Sequence, residues 1–194
     1  MKRVCVFCGS STGGDPIYAE AARELAVTLV SRGLGVVYGG GRVGLMGVVV
    51  DTVLAAGGEV IGVIPRPLAS KELAHTGLTE MKFVASMHER KATMSALADG
   101  FITLPGGLGT LEETFEILTW AQLGIQRKPI GILNVNAYYE PFLRLFDHGI
   151  RVGFIKREYR AFITVAERGP ALLDAMSVWE PPAVARNWLD SSQT

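Results

Sequence analysis

Two stretches of the chain carry side chains suited to chemistry on an anionic ligand. The first is Pro105-Gly106-Gly107-Leu108-Gly109-Thr110-Leu111-Glu112-Glu113, directly after the apolar run Phe101-Ile102-Thr103-Leu104. Its glycines let the backbone come close to a ligand and leave N–H groups free for an anion. Thr110 adds a hydroxyl donor. The apolar periodicity that follows predicts a helix over 110–124, and a helix N-terminus after a glycine turn favours phosphate. Glu113 is out of keeping: one turn into that helix a carboxylate would repel phosphate, so it is expected to serve another part of the ligand. The second stretch is Ser86-Met87-His88-Glu89-Arg90-Lys91. Ser86 with Glu89 reads as a capping box. Arg90 and Lys91 stand in the first turns, where the macrodipole disfavours cations, so an anionic ligand on the same rim is the expected reason for Arg90 and, less directly, for Lys91.

Two further glycine clusters end strand-like runs: Gly9-Ser10-Ser11, and Gly39-Gly40-Gly41-Arg42-Val43-Gly44. Ser10, Gly40 and Gly41 are therefore candidate ligand contacts. Gly39-x-Gly41-x-x-Gly44 formally matches a dinucleotide fingerprint, but the acid at the required spacing, Glu59, precedes the next strand instead of ending it. NAD binding is set aside on that ground. No G-x-x-x-x-G-K-[ST] is present, which disfavours a P-loop ATPase or kinase.

Glu112, Glu113 and Glu116 crowd the start of one helix, where charge–dipole attraction explains Glu112 or Glu116 without further function. Leu111, Phe115 and Leu118 predict its apolar stripe, and Glu113, about 160° from Phe115, points away from it. The helix dipole is then expected to lower the Glu113 pKa and keep it anionic, fit for charge stabilisation or water activation. His75, His88 and His148 lack ligand-like spacing, so no metal is expected; His88 could touch ligand or serve only at the helix start. Cys5, inside a strand, and Cys8, at its end, face opposite sides and do not read as a redox pair; Cys5 reads as a buried small hydrophobe and Cys8 as lining a pocket at the strand's C-terminal end. G-x-S-x-G is absent.

The elements that must position these groups are legible. Strands are predicted at Val4–Phe7, Gly35–Tyr38, Val60–Ile64, Lys82–Val84, Phe101–Leu104, Ile130–Leu133 and Ile163–Val165. Helices are predicted near 16–32, 44–57, 87–98, 110–124, 138–149 and 170–178. Near-continuous apolar strands alternating with helices imply an α/β fold: a single doubly wound, mostly parallel, Rossmann-like sheet with helices on both faces. In such sheets ligands bind beyond the carboxyl ends of the strands, where the glycine clusters fall. One domain is expected over 1–180, with 181–194 as a tail. With 19 basic and 19 acidic residues among 194, the formal charge is zero, which argues against a general nucleic-acid or membrane-surface binder. No secretory leader or membrane-length apolar run is seen, so a cytoplasmic location is expected.

The elements MHxRK (Met87–Lys91) and PGGxGTxxE (Pro105–Glu113), supported by Gly39-Gly40-Gly41, Val63-Ile64-Pro65 and Thr119-Trp120-Ala121-Gln122-Leu123-Gly124, resemble the LOG ("lonely guy") family of cytokinin-activating phosphoribohydrolases over roughly residues 3–180. Members have often been labelled lysine decarboxylases, but the chain shows no recognisable pyridoxal-phosphate lysine site. The resemblance implies hydrolysis of the N-glycosidic bond of an adenosine 5′-monophosphate, often N6-substituted, to free base and ribose 5-phosphate, without a cofactor. It implies Arg90 and Glu113 as the catalytic pair. Gly107, Leu108, Gly109, Thr110, Leu111, Glu112 and Lys91 become phosphate or substrate contacts, with Glu72 and Thr119 as further ones. It also implies a homodimer with helix 110–124 near the interface. A general AMP or purine-nucleotide nucleosidase, a non-catalytic nucleotide-binding module and a phosphosugar enzyme stay open as alternatives.

Overall fold

The computed structural model describes residues 1–69 and 74–182. Its seven strands are β1 (Arg3–Phe7), β2 (Gly35–Tyr38), β3 (Val60–Pro65), β4 (Glu80–Val84), β5 (Gly100–Thr103), β6 (Ile130–Leu133) and β7 (Ile163–Ala166). All pair in parallel in one sheet of order β4-β3-β2-β1-β5-β6-β7. The helices are α1 (Pro16–Ser31), α2 (Gly44–Ala55), the short α3 (Arg66–Ala69), α4 (Met87–Leu97), α5 (Leu108–Leu123), α6 (Glu140–Arg151) and α7 (Gly169–Ser177). Each predicted strand and each predicted long helix is present, with bounds moved by a few residues.

The strands read as unbroken apolar runs because both faces are covered. Side chains alternate between two cores. Val4, Val6, Val36, Tyr38 and Ile102 pack with Leu25 of α1, Leu45 of α2 and Leu172 of α7. Cys5, Phe7, Val37 and Phe101 pack with Met94 of α4, Ile117 of α5 and Leu143 of α6. Cys5 and Cys8 are unbonded and both buried, and they lie on opposite cores, the opposite facing that their spacing predicts.

The chain winds outward from β1 to β4, then crosses back to place β5 on the other side of β1. The β1/β5 boundary is therefore the topological switch point, where the loops leaving two adjacent strands diverge and open a crevice. The Gly9 and Gly106–Gly109 turns leave those two strands; Gly9 N–H donates to Pro105 O across the boundary at 3.1 Å.

Candidate active site

Arg90 enters from α4, whose start is fixed by Ser86: the Ser86 hydroxyl accepts from Glu89 N–H at 3.1 Å. The Glu89 carboxylate accepts from Ala85 N–H at 2.6 Å, one residue earlier than a capping box would have it. Arg90 is only 8 % exposed, an unusual state for a guanidinium in a first turn. Its guanidinium end sits against Gly39, just past β2, where a β-carbon would stand 1.8 Å from Nη2. Gly39 is glycine because the guanidinium occupies that space. Arg90 Nη1 reaches Met87 Sδ at 3.7 Å, while its buried Nε has no acceptor. A buried cation with an unsatisfied donor is primed for an oxygen ligand.

The glycine turn opens α5 two residues earlier than predicted, at Leu108, with Gly107 as N-cap. The first-turn N–H groups of Leu108, Gly109 and Thr110 have no helical acceptor, and β-carbons on Gly107 and Gly109 would meet nothing, so the approach is open. Gly106 is the tight position: a β-carbon there would fall 2.2 Å from Thr110 Oγ1 and 2.7 Å from Gly9 N. Tyr138 braces the turn by donating its hydroxyl to Gly106 O at 2.5 Å. A cleft of about 280 Å³ lies alongside, lined by Ser10, Ser11, Leu45, Gly106, Gly107 and the rings of Tyr18 and Tyr138, among others.

Glu113 faces Arg90, with Oε1 4.0 Å from Nη2 and 15 % of its side chain exposed. This corrects the expected orientation of α5. The buried stripe is Thr110, Thr114, Ile117, Leu118 and Ala121, whereas Phe115 is 45 % exposed. The threonines are buried because Thr114 Oγ1 donates to Thr110 O at 2.6 Å and meets Thr103 Oγ1 at 3.0 Å. With that stripe inward, Glu113, one turn from Thr110 and Ile117, turns inward too. The expected lowering of its pKa is likewise overturned. Burial, opposed by Arg90 and Lys91 and reinforced by Glu112 and Glu116, pushes it up to about 7. Desolvation of the carboxylate outweighs both the neighbouring cations and the helix dipole.

Residues 46–176 match the model of a family described as possible lysine decarboxylases. A probable cytokinin riboside 5′-monophosphate phosphoribohydrolase of Oryza sativa subsp. japonica is 51 % identical over 174 residues, covering 90 % of this chain and 78 % of the rice protein. A cytokinin riboside 5′-monophosphate phosphoribohydrolase of Arabidopsis thaliana is 50 % identical over 181 residues, covering 93 % and 83 %. The chain belongs to the LOG family. Among solved structures, the molybdenum cofactor carrier protein of Chlamydomonas reinhardtii superimposes with a TM-score of 0.66 at 18 % identity, covering 91 % of this chain and 96 % of that one. The molybdenum cofactor binding protein of Rippkaea orientalis gives 0.67 at 18 % identity, covering 91 % and 96 %. These two share the fold.

Several residues implied by the LOG resemblance gather on one rim, Arg90, Glu113 and the Gly107–Thr110 turn, and Ser10, a candidate from the first glycine cluster, lies in the adjoining cleft. Gly40 adopts φ 82°, and Gly41 bridges Ala74. Lys91 is already engaged, its ammonium 2.7 Å from Glu112 and 2.8 Å from Glu116, an arrangement that ties α4 to α5. Leu108 is exposed at the start of α5 and Leu111 is half-buried against the core beneath it. Thr119 is not on the rim; it lies about 9 Å further along α5, exposed, and donates to Phe115 O at 2.8 Å. Glu72 lies outside the described residues. Met94 is core, while exposed Met87 touches Arg90. His88 and Trp120 line a groove between α4 and α5. The reading of single residues missed the roles of Gly39 as the seat of Arg90 and of Tyr138 as a brace, since contacts 51 and 32 positions away leave no local signature.

Proposed function

We propose that this LOG-family chain hydrolyses the N-glycosidic bond of an adenosine 5′-monophosphate, N6-substituted in the case of a cytokinin nucleotide, releasing free base and ribose 5-phosphate. The observation that carries the reading is the buried Arg90–Glu113 pair beside an open helix N-terminus. The first-turn N–H groups of α5 and the Thr110 hydroxyl suit the 5′-phosphate, a remote handle that orients the sugar. As the C1′–N9 bond breaks, positive charge builds on the ribose, and ionised Glu113 stabilises it and takes a proton from the attacking water. Burial makes Glu113 a stronger base than an ordinary carboxylate, with a pKa of about 7, close to the working pH that favours general-base catalysis. Arg90 stays protonated; it holds ribose or phosphate oxygens or polarises the departing base.

A homodimer accompanies this reading. α5 and α6 leave an apolar cleft of about 330 Å³ lined by Phe115, Leu145, Phe146 and Phe154 among others. A second cleft beside it includes Thr119 and Gln122. A dimer using this face would cover exposed Phe115 and Thr119, consistent with helix α5 at the interface. No helix among the described residues is long and apolar enough to cross a membrane.

The test is incubation with adenosine 5′-monophosphate and isopentenyladenosine 5′-monophosphate, with the unphosphorylated ribosides as controls. Free base is expected from the monophosphates. Equal release from the ribosides would remove the phosphate argument, and release from plain AMP alone would favour the general nucleosidase.

A further inference from the structure

A polar connection centred on His75 joins α2, the segment before β4 and the glycine loop behind Arg90. His75 Nε2 lies 2.9 Å from Asp51 Oδ1 of α2. Its Nδ1 accepts from Gly77 N–H at 3.1 Å, which puts the ring proton on Nε2, donated to Asp51. The backbone of the same segment grips the glycine loop: His75 N–H donates to Gly40 O at 3.1 Å, and Ala74 bridges Gly41. The next residue back is Gly39, the seat of the Arg90 guanidinium. Arg90 has no strong hydrogen bond of its own among the described contacts. Its Nε is unpartnered, Met87 Sδ is 3.7 Å away, and Glu113 is at 4.0 Å. Packing against the loop therefore sets where the cation sits.

We propose that the Asp51–His75 pair is a positioning device for Arg90, fixing the Gly39–Gly41 loop so that the guanidinium keeps its distance from Glu113. The inference rests on the reading of Arg90 and Glu113 as the reacting pair. A hydrogen bond whose Asp51 partner is 71 % exposed adds little stability, whereas small displacements at a reacting centre carry large kinetic costs.

The consequence is readable in a pH profile. The groups facing Glu113 are Arg90 and Lys91 from α4, Glu112 and Glu116 from α5, and, across the sheet end, Cys5 of β1 and Cys8 just after it. Lys91 is held by Glu112 and Glu116, so loosening the loop moves Arg90 alone. With the Arg90 charge further off, Glu113 binds its proton more tightly, and the acid limb of kcat/KM moves to higher pH.

The experiment compares the full chain with His75→Ala, Asp51→Ala and Asp51→Asn, measuring kcat and KM for adenosine 5′-monophosphate on both sides of neutrality, below each variant's melting temperature. Both alanine variants are expected to lose ~10- to 100-fold in kcat with KM little changed, and to show the raised limb. Asp51→Asn still accepts from Nε2–H and is expected to retain the parental rate and limb. Parental kinetics in the alanine variants overturn the proposal, as does a slower rate with an unmoved limb, which would mark a structural role. Should His75→Ala fail to fold, Asp51→Ala, changed at an exposed side chain, decides. Arg90→Ala and Glu113→Ala run alongside: parental rates there would overturn the site reading itself, whereas loss there with parental His75→Ala and Asp51→Ala overturns only this inference.

Discussion

Glu113 carries opposite demands: it must be anionic to meet a sugar cation, yet its surroundings favour the neutral acid. Arg90 at 4.0 Å lessens the conflict without removing it, since the pKa still stands at about 7. Removing either group should therefore cost turnover on the scale of a lost electrostatic or acid–base contribution. Arg90→Ala and Glu113→Ala are expected to fall by at least ~100-fold in base release, measured by chromatography; near-normal release by either would refute the pairing. The parental kcat/KM should rise through a limb near pH 7 as Glu113 ionises. Stability follows the opposite sign. A pKa raised above the unfolded value of 4.5 means that the folded state binds the proton more tightly, so this group's stabilisation is full below pH 4.5 and lost as pH rises through about 7. Glu113→Gln, which cannot ionise, should gain on the parent by up to about 3 kcal/mol between acid and mildly alkaline pH in denaturant titrations. A pH-independent difference would show that Glu113 does not titrate in this window.

At the scale of elements, the site is made by loops that touch. Gly44, at φ 60°, opens α2 directly over the Ser10 turn, and a β-carbon on it would fall 2.2 Å from the Ser10 carbonyl carbon. Both the dihedral and the contact are with backbone, so no rotamer change relieves them. Gly44→Ala is expected to destabilise the fold by ~1–3 kcal/mol, seen as a lower melting temperature; an unchanged melting temperature would mean that the two loops move apart freely. Gly39 makes the complementary case, since what fills its space is the end of a side chain, Arg90.

For the whole molecule, the two clefts beside α5 make one apolar face, with Phe154 92 % exposed and Leu145 63 % exposed. Exposed apolar residues gathered on one side of a protein mark an interaction surface. The dimer reading predicts twice the chain mass in solution by light scattering, and a shift toward the monomer for Phe154→Asp. A monomeric parent would overturn it. The same face carries Thr119, so the oligomeric state also decides whether that residue can stand near any substrate.

The pairing of Arg90 with Glu113 was implied by the LOG resemblance; the strands, the long helices and the rim on which the glycine loops meet were determined by the sequence itself. Each of these last three is written in short-range pattern: two-residue alternation into two cores, apolar runs without polar breaks, and glycines where chains turn. What it misread was rotation and environment. Leu111, Phe115 and Leu118 look like the buried stripe of α5; Leu118 is buried, but Phe115 is exposed and Thr110 and Thr114 go inside, because Thr103 on a neighbouring strand and the Thr110 carbonyl satisfy the Thr114 hydroxyl. That rotation by itself turns Glu113 inward, and desolvation, a property of everything packed around a carboxylate, then raises the pKa that the helix dipole was expected to lower. The seat of Arg90 on Gly39 and the hold of His75 on Gly40 were likewise decided only in the tertiary structure. A sequence records which groups are available; distance and burial, which set the strength of every charge interaction, exist only once the chain has closed on itself.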